Sequence, residues 1–167
     1  MKSFQLICFL ALISCSTAKS QEPSVIFLVR HAETVFSDDP DRDLNAAGRD
    51  RAELLKRTLQ SAGITEVYST DRKRTINTAK PLADLLGLEI APYDGRDLEA
   101  FAKELKLKTG RILISGHSNT TPELVNLLGG DAGDPINEQT QFDRIYVLHL
   151  NGDQVTTTLL KYGANYD

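Results

Sequence analysis

Two short apolar runs in this chain end in the same way. Val25-Ile26-Phe27-Leu28-Val29 passes into Arg30-His31-Ala32-Glu33-Thr34, and Arg111-Ile112-Leu113-Ile114-Ser115 passes into Gly116-His117-Ser118-Asn119. Apolar runs of this length, rich in β-branched residues, read as buried strands. In an open α/β sheet, ligands bind outside the carboxyl ends of the strands. That geometry brings His31, His117 and Arg30 to one crevice. An arginine directly beside the first histidine implies that the crevice receives an anion.

The rest of the body, residues 24–167, supplies the helices such a sheet needs. Leu44 to Ala62 has Ala52, Leu55, Leu59 and Ala62 on one face, and Gly63 is placed to stop it in the left-handed region. Glu66–Ser69 reads as a strand, Asp71 to Leu86 as a helix with a kink expected at Pro81, and Leu88–Ala91 as a third strand. Asp97 to Leu107 is amphipathic, with Asp97 as its N-cap. A further helix is expected to start at Thr121-Pro122-Glu123, with Thr121 as N-cap and Pro122 in the first helical position, and to end at Gly129-Gly130. Arg144–Leu150 and Gln154–Tyr162 flank Asn151-Gly152, a two-residue hairpin turn. Strands alternating with helices imply a parallel sheet covered on both faces, and the hairpin adds an antiparallel pair. The expected fold is a three-layer α/β sandwich with a mostly parallel mixed sheet.

The N-terminal 23 residues read separately. Lys2 and the apolar run Phe4–Ile13 form a secretory signal, too short to span a bilayer as a stable helix. Leu12-Ile13-Ser14-Cys15 resembles a lipobox, with Cys15 as the lipidated residue of an envelope-anchored protein; cleavage after Ala18 is the alternative. Ser16 to Ser24 is a polar tether. Cys8 leaves with the signal, so the folded body has no disulfide, which a core of this size does not require. A formal net charge of −4 over 167 residues argues against a nucleic-acid partner. The only contact expected with a membrane is through the lipid on Cys15.

Three segments carry chemistry. In Arg30-His31, a neutral imidazole can attack phosphorus beside a guanidinium whose forked donors match phosphate oxygens. Ser69-Thr70-Asp71-Arg72-Lys73-Arg74 follows a strand and opens a helix, where free N–H groups and the dipole favour an anion and Arg74 adds a second guanidinium. In Gly116-His117-Ser118-Asn119, the glycine permits close approach, and the Ser118 and Asn119 N–H groups are candidates to face the same pocket. Each has an ordinary alternative: a strand-end histidine meeting solvent, or a solvated basic turn. His149, inside a late strand, reads as structural.

Together these segments resemble the histidine phosphatase (phosphoglycerate-mutase-like) superfamily. Arg30-His31-Ala32-Glu33-Thr34 is similar to its R-H-G-E-T element, with Ala32 in place of glycine. Leu44-Asn45-Ala46-Ala47-Gly48-Arg49 is similar to its L-x-x-x-G-R helix start. Arg74-Thr75-Ile76-Asn77-Thr78-Ala79 is similar to R-A-x-Q-T-A, and Gly116-His117-Ser118 to G-H-x. The resemblance implies that His31 is the phosphorylated nucleophile and that Arg30 and Arg74 clamp the phosphoryl oxygens. It implies that His117 stabilises the transition state, that Thr34 adds a hydroxyl, and that no metal or cofactor takes part.

The general acid of larger members is a glutamate after the third strand, and here Asp94 occupies that region. Asp97 reads as a cap and Glu99 as helix surface. A weak or missing acid suits substrates with good leaving groups, such as phosphohistidine. The short chain leaves little room for mutase-like lids. The expected activity is therefore an extracytoplasmic phosphatase acting on a small phosphorylated substrate. The alternatives are a protein phosphohistidine phosphatase, which export disfavours, and a non-catalytic phosphate- or phosphosugar-binding lipoprotein.

Overall fold

The computed structural model describes residues 23–164. Cys15 and the signal-like segment lie outside the described residues. The elements run β1 (Ser24–Arg30), α1 (Ala46–Leu59), β2 (Glu66–Ser69), α2 (Lys73–Leu86), β3 (Ile90–Pro92), α3 (Leu98–Leu107), β4 (Gly110–Gly116), α4 (Thr120–Leu127), β5 (Arg144–Asn151) and β6 (Gln154–Lys161). One six-stranded sheet has the order β3-β2-β4-β1-β5-β6. The first four strands in that order are parallel, while β5 is antiparallel to β1 and β6 to β5.

The period-two alternation of the strands sorts the core into two sides. Ile26, Leu28, Ile112 and Ile114 pack with Leu98, Phe101 and Leu105 of α3 and Leu124 of α4. Val25, Phe27, Val29 and Leu113 pack with Leu55 and Leu59 of α1 and Ala79, Leu82 and Ala83 of α2. The result is the three-layer mixed α/β architecture that the alternating sequence implies.

Several boundaries differ from the expectation. α1 begins later, because Asn45 caps it: Asn45 Oδ1 accepts from the Gly48 N–H at 2.9 Å. It ends at Leu59 with Gln60 as its cap, and Gly63 forms the left-handed residue of the following turn (φ +70°). α2 runs on through Pro81 to Leu86. α3 is capped by Asp97 as expected, through a bond from the Ala100 N–H at 3.1 Å. α4 is not capped by Thr121. It starts at Thr120, and the Thr121 hydroxyl donates to the Val29 carbonyl instead (3.3 Å).

Candidate active site

Sheet register sets the site. β1 and β4 pair through Arg30↔Gly116, and the His31 N–H continues the ladder to the Gly116 carbonyl at 2.8 Å. His31 and His117 are therefore the first residues past two neighbouring strands, with their rings edge to face and centroids 5.5 Å apart. β2 lies beside β4 and ends at Ser69, which brings Thr70 and the start of α2 to the same edge. Gly116 is required by crowding. A Cβ there would meet Tyr93 Oη at 2.7 Å and the Thr121 and Thr120 hydroxyls at 2.9 and 3.0 Å.

His31 is buried, and its Nδ1 lies 2.8 Å from the carbonyl oxygen of Ala32. A carbonyl only accepts, so Nδ1 carries the proton and the Nε2 lone pair is left for chemistry. Desolvation, with smaller contributions from Arg30, His117 and Arg74, pushes the imidazole down to about 3. The imidazole is therefore neutral at physiological pH. Desolvation also lowers His117, to about 4, helped by Arg74, Arg72 and Arg30.

The two arginines show what the site is built to hold. Arg30 donates from Nη1 to the Asn137 and Gln141 carbonyls (3.2 and 2.9 Å) and from Nη2 to that of Glu138 (2.6 Å). Its guanidinium lies over the Phe142 ring at 4.1 Å. Of its five N–H donors, Nε–H and one on Nη2 remain. Arg74 donates from Nη1 to the Pro40 carbonyl at 3.0 Å, and its Nη2 lies 3.5 Å from His117 Nδ1. Both Nε atoms are buried and meet no acceptor in the protein. Buried charged donors without partners are costly, and an oxyanion satisfies them. Burial lowers both guanidinium pKa values, Arg30 to about 10, which leaves it cationic at neutral pH.

The start of α2 is not an open anion site. The Lys73 N–H donates to Asp41 Oδ1 at 2.9 Å, so a carboxylate of the protein itself occupies that helix end. Asp43 likewise accepts from the Leu44 N–H and from Asn77 Nδ2, both at 2.6 Å. The aspartate-rich loop thus ties the end of β1 to α2. Arg42, which carried no signal in the sequence, donates from Nε to Thr34 Oγ1 at 3.1 Å. With Thr34, His31 and Arg30 it lines a cavity of about 460 Å³.

On the other side of the histidine pair lies a cavity of about 660 Å³ lined by Thr70, Arg72, Tyr93, Asp94, Arg96 and His117, among others. Asp94 thus lines the same cavity as His117. Its carboxylate accepts from the Arg96 backbone N–H, Nε and Nη2 at 2.9, 3.0 and 2.9 Å, which drives it down to about 2. Glu33 is buried against Arg51, with both oxygens accepting at 2.8–3.0 Å. Glu99 is exposed on α3 and His149 on β5. Ser118 is half-buried and Asn119 exposed, and neither is among the residues lining these cavities. Among the described residues, no three His, Cys, Asp or Glu side chains gather as a metal-holding group, and no helix is long and apolar enough to cross a membrane.

Residues 26–97 match the family model of the histidine phosphatase superfamily (branch 1). That segment contains Arg30, His31, Arg74 and Asp94 and stops before β4, so His117 joins the group through the fold. A protein of Yersinia enterocolitica named "Probable phosphoglycerate mutase GpmB" is 39% identical over 71 residues, covering 39% of this chain and 33% of that protein. The matched segment thus spans about a third of that relative's length. Among solved structures, the protein histidine phosphatase SixA complexed with tungstate superposes with a TM-score of 0.68 at 19% identity, over 82% of this chain and 96% of that one. A phosphoserine phosphatase from Entamoeba histolytica, in complex with 3-phosphoglyceric acid, gives 0.63 at 12% identity, over 84% and 98%. With the paired histidines, the arginine beside His31 and this match in view, residues 26–97 are similar to the histidine phosphatase superfamily, and the described residues share the fold of SixA.

Proposed function

We propose that this protein is a phosphatase that works through a phosphohistidine on His31. The single observation that carries the reading is the His31–Ala32 hydrogen bond, which leaves a buried, neutral Nε2 lone pair beside two arginines with unpartnered Nε–H donors. In the first step Nε2 forms a bond to phosphorus, and the bond to the leaving group breaks with its electron pair. In the second, water attacks the phosphorus, the N–P bond breaks, and phosphate leaves with the histidine restored. Arg30, Arg74 and His117 hold the phosphoryl oxygens, and positioning with charge neutralisation supplies most of the catalysis. Tungstate bound in the similarly folded SixA supports a tetrahedral oxyanion as the ligand class. Rapid quenching with a labelled substrate should trap an acid-labile, base-stable phosphoryl group in the wild type and none in His31→Ala. Label retained by the mutant overturns the assignment.

One observation favours a narrower substrate class. Asp94 is ion-paired with Arg96 and ionised across the physiological range. That supports substrates whose leaving group departs without a proton from the protein, phosphohistidine among them. The exported location follows from Ser14-Cys15 and belongs to the same proposal. Labelled palmitate should enter the wild type but not Cys15→Ala, and equal labelling of both would leave the lipid anchor without support.

A further inference from the structure

His117 is engaged at both ring nitrogens. Its Nε2 lies 2.9 Å from Thr70 Oγ1, and its Nδ1 lies 3.5 Å from Arg74 Nη2. Thr70 Oγ1 is in turn 2.9 Å from Thr75 Oγ1. That oxygen lies 2.9 Å from the carbonyls of both Thr70 and Arg72. Both threonines are buried, at 6% and 0% exposure.

The Arg74 contact and the two carbonyls set the proton positions, since a guanidinium only donates and a carbonyl only accepts. The Thr75 hydroxyl, within reach of two carbonyls, donates to one of them. Its oxygen then receives the Thr70 proton. Thr70, its one proton spent, must accept from His117 Nε2–H. A guanidinium only donates, so His117 Nδ1 turns a lone pair towards Arg74. This arrangement gives every atom in the chain a partner, and such buried networks hold their members in one geometry.

We propose that Thr70, backed by Thr75, is a positioning residue that fixes His117 as its Nε2–H tautomer, so that the site takes up a phosphoryl group as its protonated monoanion. On binding, the Arg74 guanidinium turns from Nδ1 to the phosphoryl oxygens, and the monoanion's P–O–H takes its place at the Nδ1 lone pair and shares its proton with it. The pair is then either imidazole with monoanion or imidazolium with dianion, and no outside proton source is needed. This rests on the phosphoryl-binding reading above. The ionisable groups around the ring are His31 and Arg30 at the end of β1, Asp71, Arg72 and Arg74 at the start of α2, and Tyr93, Asp94 and Arg96 along the cavity wall. Tyr93 is pushed up to about 12 by burial, His31 down to about 3, and Asp94 down to about 2. None of these three changes charge between pH 5.5 and 8.

The test uses nitrogen-15 NMR of the His117 ring and the affinity for inorganic phosphate against pH. The wild type should show a proton on Nε2 and none on Nδ1. Its phosphate affinity should fall about tenfold per pH unit above the second ionisation of phosphate, the slope for one linked proton. Thr70→Val should mix the tautomers and flatten that slope, while Thr70→Ser restores both. Thr75→Val gives a second route, since it frees the Thr70 proton to turn towards Nε2. A wild-type Nδ1–H tautomer, or an unchanged tautomer and slope in both valine variants, overturns the proposal. Failure of phosphate to bind at any pH overturns the phosphoryl-binding reading and the uptake half of the proposal. The tautomer signal, which needs no ligand, tells the two failures apart.

Discussion

Asp94 and Arg74 show how much a side chain's immediate neighbours decide. Asp94 lines the cavity beside His117, but three N–H donors of Arg96 hold it as a carboxylate. Asp94→Asn should therefore change turnover of an alkyl phosphate and an aryl phosphate by the same small factor. A loss of about 10² confined to the alkyl substrate would instead identify a proton donor. Arg74 keeps an unpartnered buried Nε–H and approaches His117. Arg74→Ala should fold normally and lose on the order of 10² to 10³ in kcat on an aryl phosphate, the usual cost of one transition-state donor. Activity within a few fold of wild type would place Arg74 outside the pocket.

Between elements, one buried ion pair and one crowded turn are points sensitive to substitution. Arg51 of α1 reaches Glu33 just past β1 and also donates to the Tyr162 and Ala164 carbonyls after β6. Glu33→Ala removes the carboxylate that the Arg51 Nε and Nη2 groups meet and should cost about 3–5 kcal/mol in a urea titration. Gly116→Ala forces a methyl against Tyr93, Thr120 and Thr121, at a cost of about 1–3 kcal/mol. Because Thr120 Oγ1 accepts the His117 N–H, activity should fall further than stability does. The strands and most helices were legible because β-branched runs and i, i+3, i+4 spacing are local signals. The Arg30-His31 and Gly116-His117 pairs were legible because each directly follows such a run. What escaped was partnership across distance. Nothing near Thr121 in sequence announces that Val29 will take its hydroxyl, and nothing near Lys73 announces that Asp41 will fill its helix end. Arg42 and the Thr70–Thr75 pair are ordinary polar residues until the fold sets them beside Thr34 and His117.

For the whole molecule, the two neutral histidines tie stability to acidity. Each has a native pKa far below its unfolded value of about 6.5. Above that value neither the native nor the unfolded state binds the proton, and the contribution is complete. As pH falls from about 6.5 towards 4, the unfolded chain takes up protons that the native protein refuses. Stability should drop by about 1.4 kcal/mol per pH unit for each histidine. The urea midpoint should track this fall, and His31→Asn and His117→Asn should each flatten it; parallel slopes in all three proteins would show that other groups govern the acid limb. Arg30, His31 and His117 stand at strand ends locked in register, whereas the segment closed by the Thr34–Leu44 bridge, tied to α2 through Pro40, Asp41 and Asp43, hangs a fully exposed Phe36 outside the sheet. For an engineer these are separable modules: exchanging residues 36–38 should redirect which molecules are accepted while the reaction centre keeps its turnover on a minimal aryl phosphate.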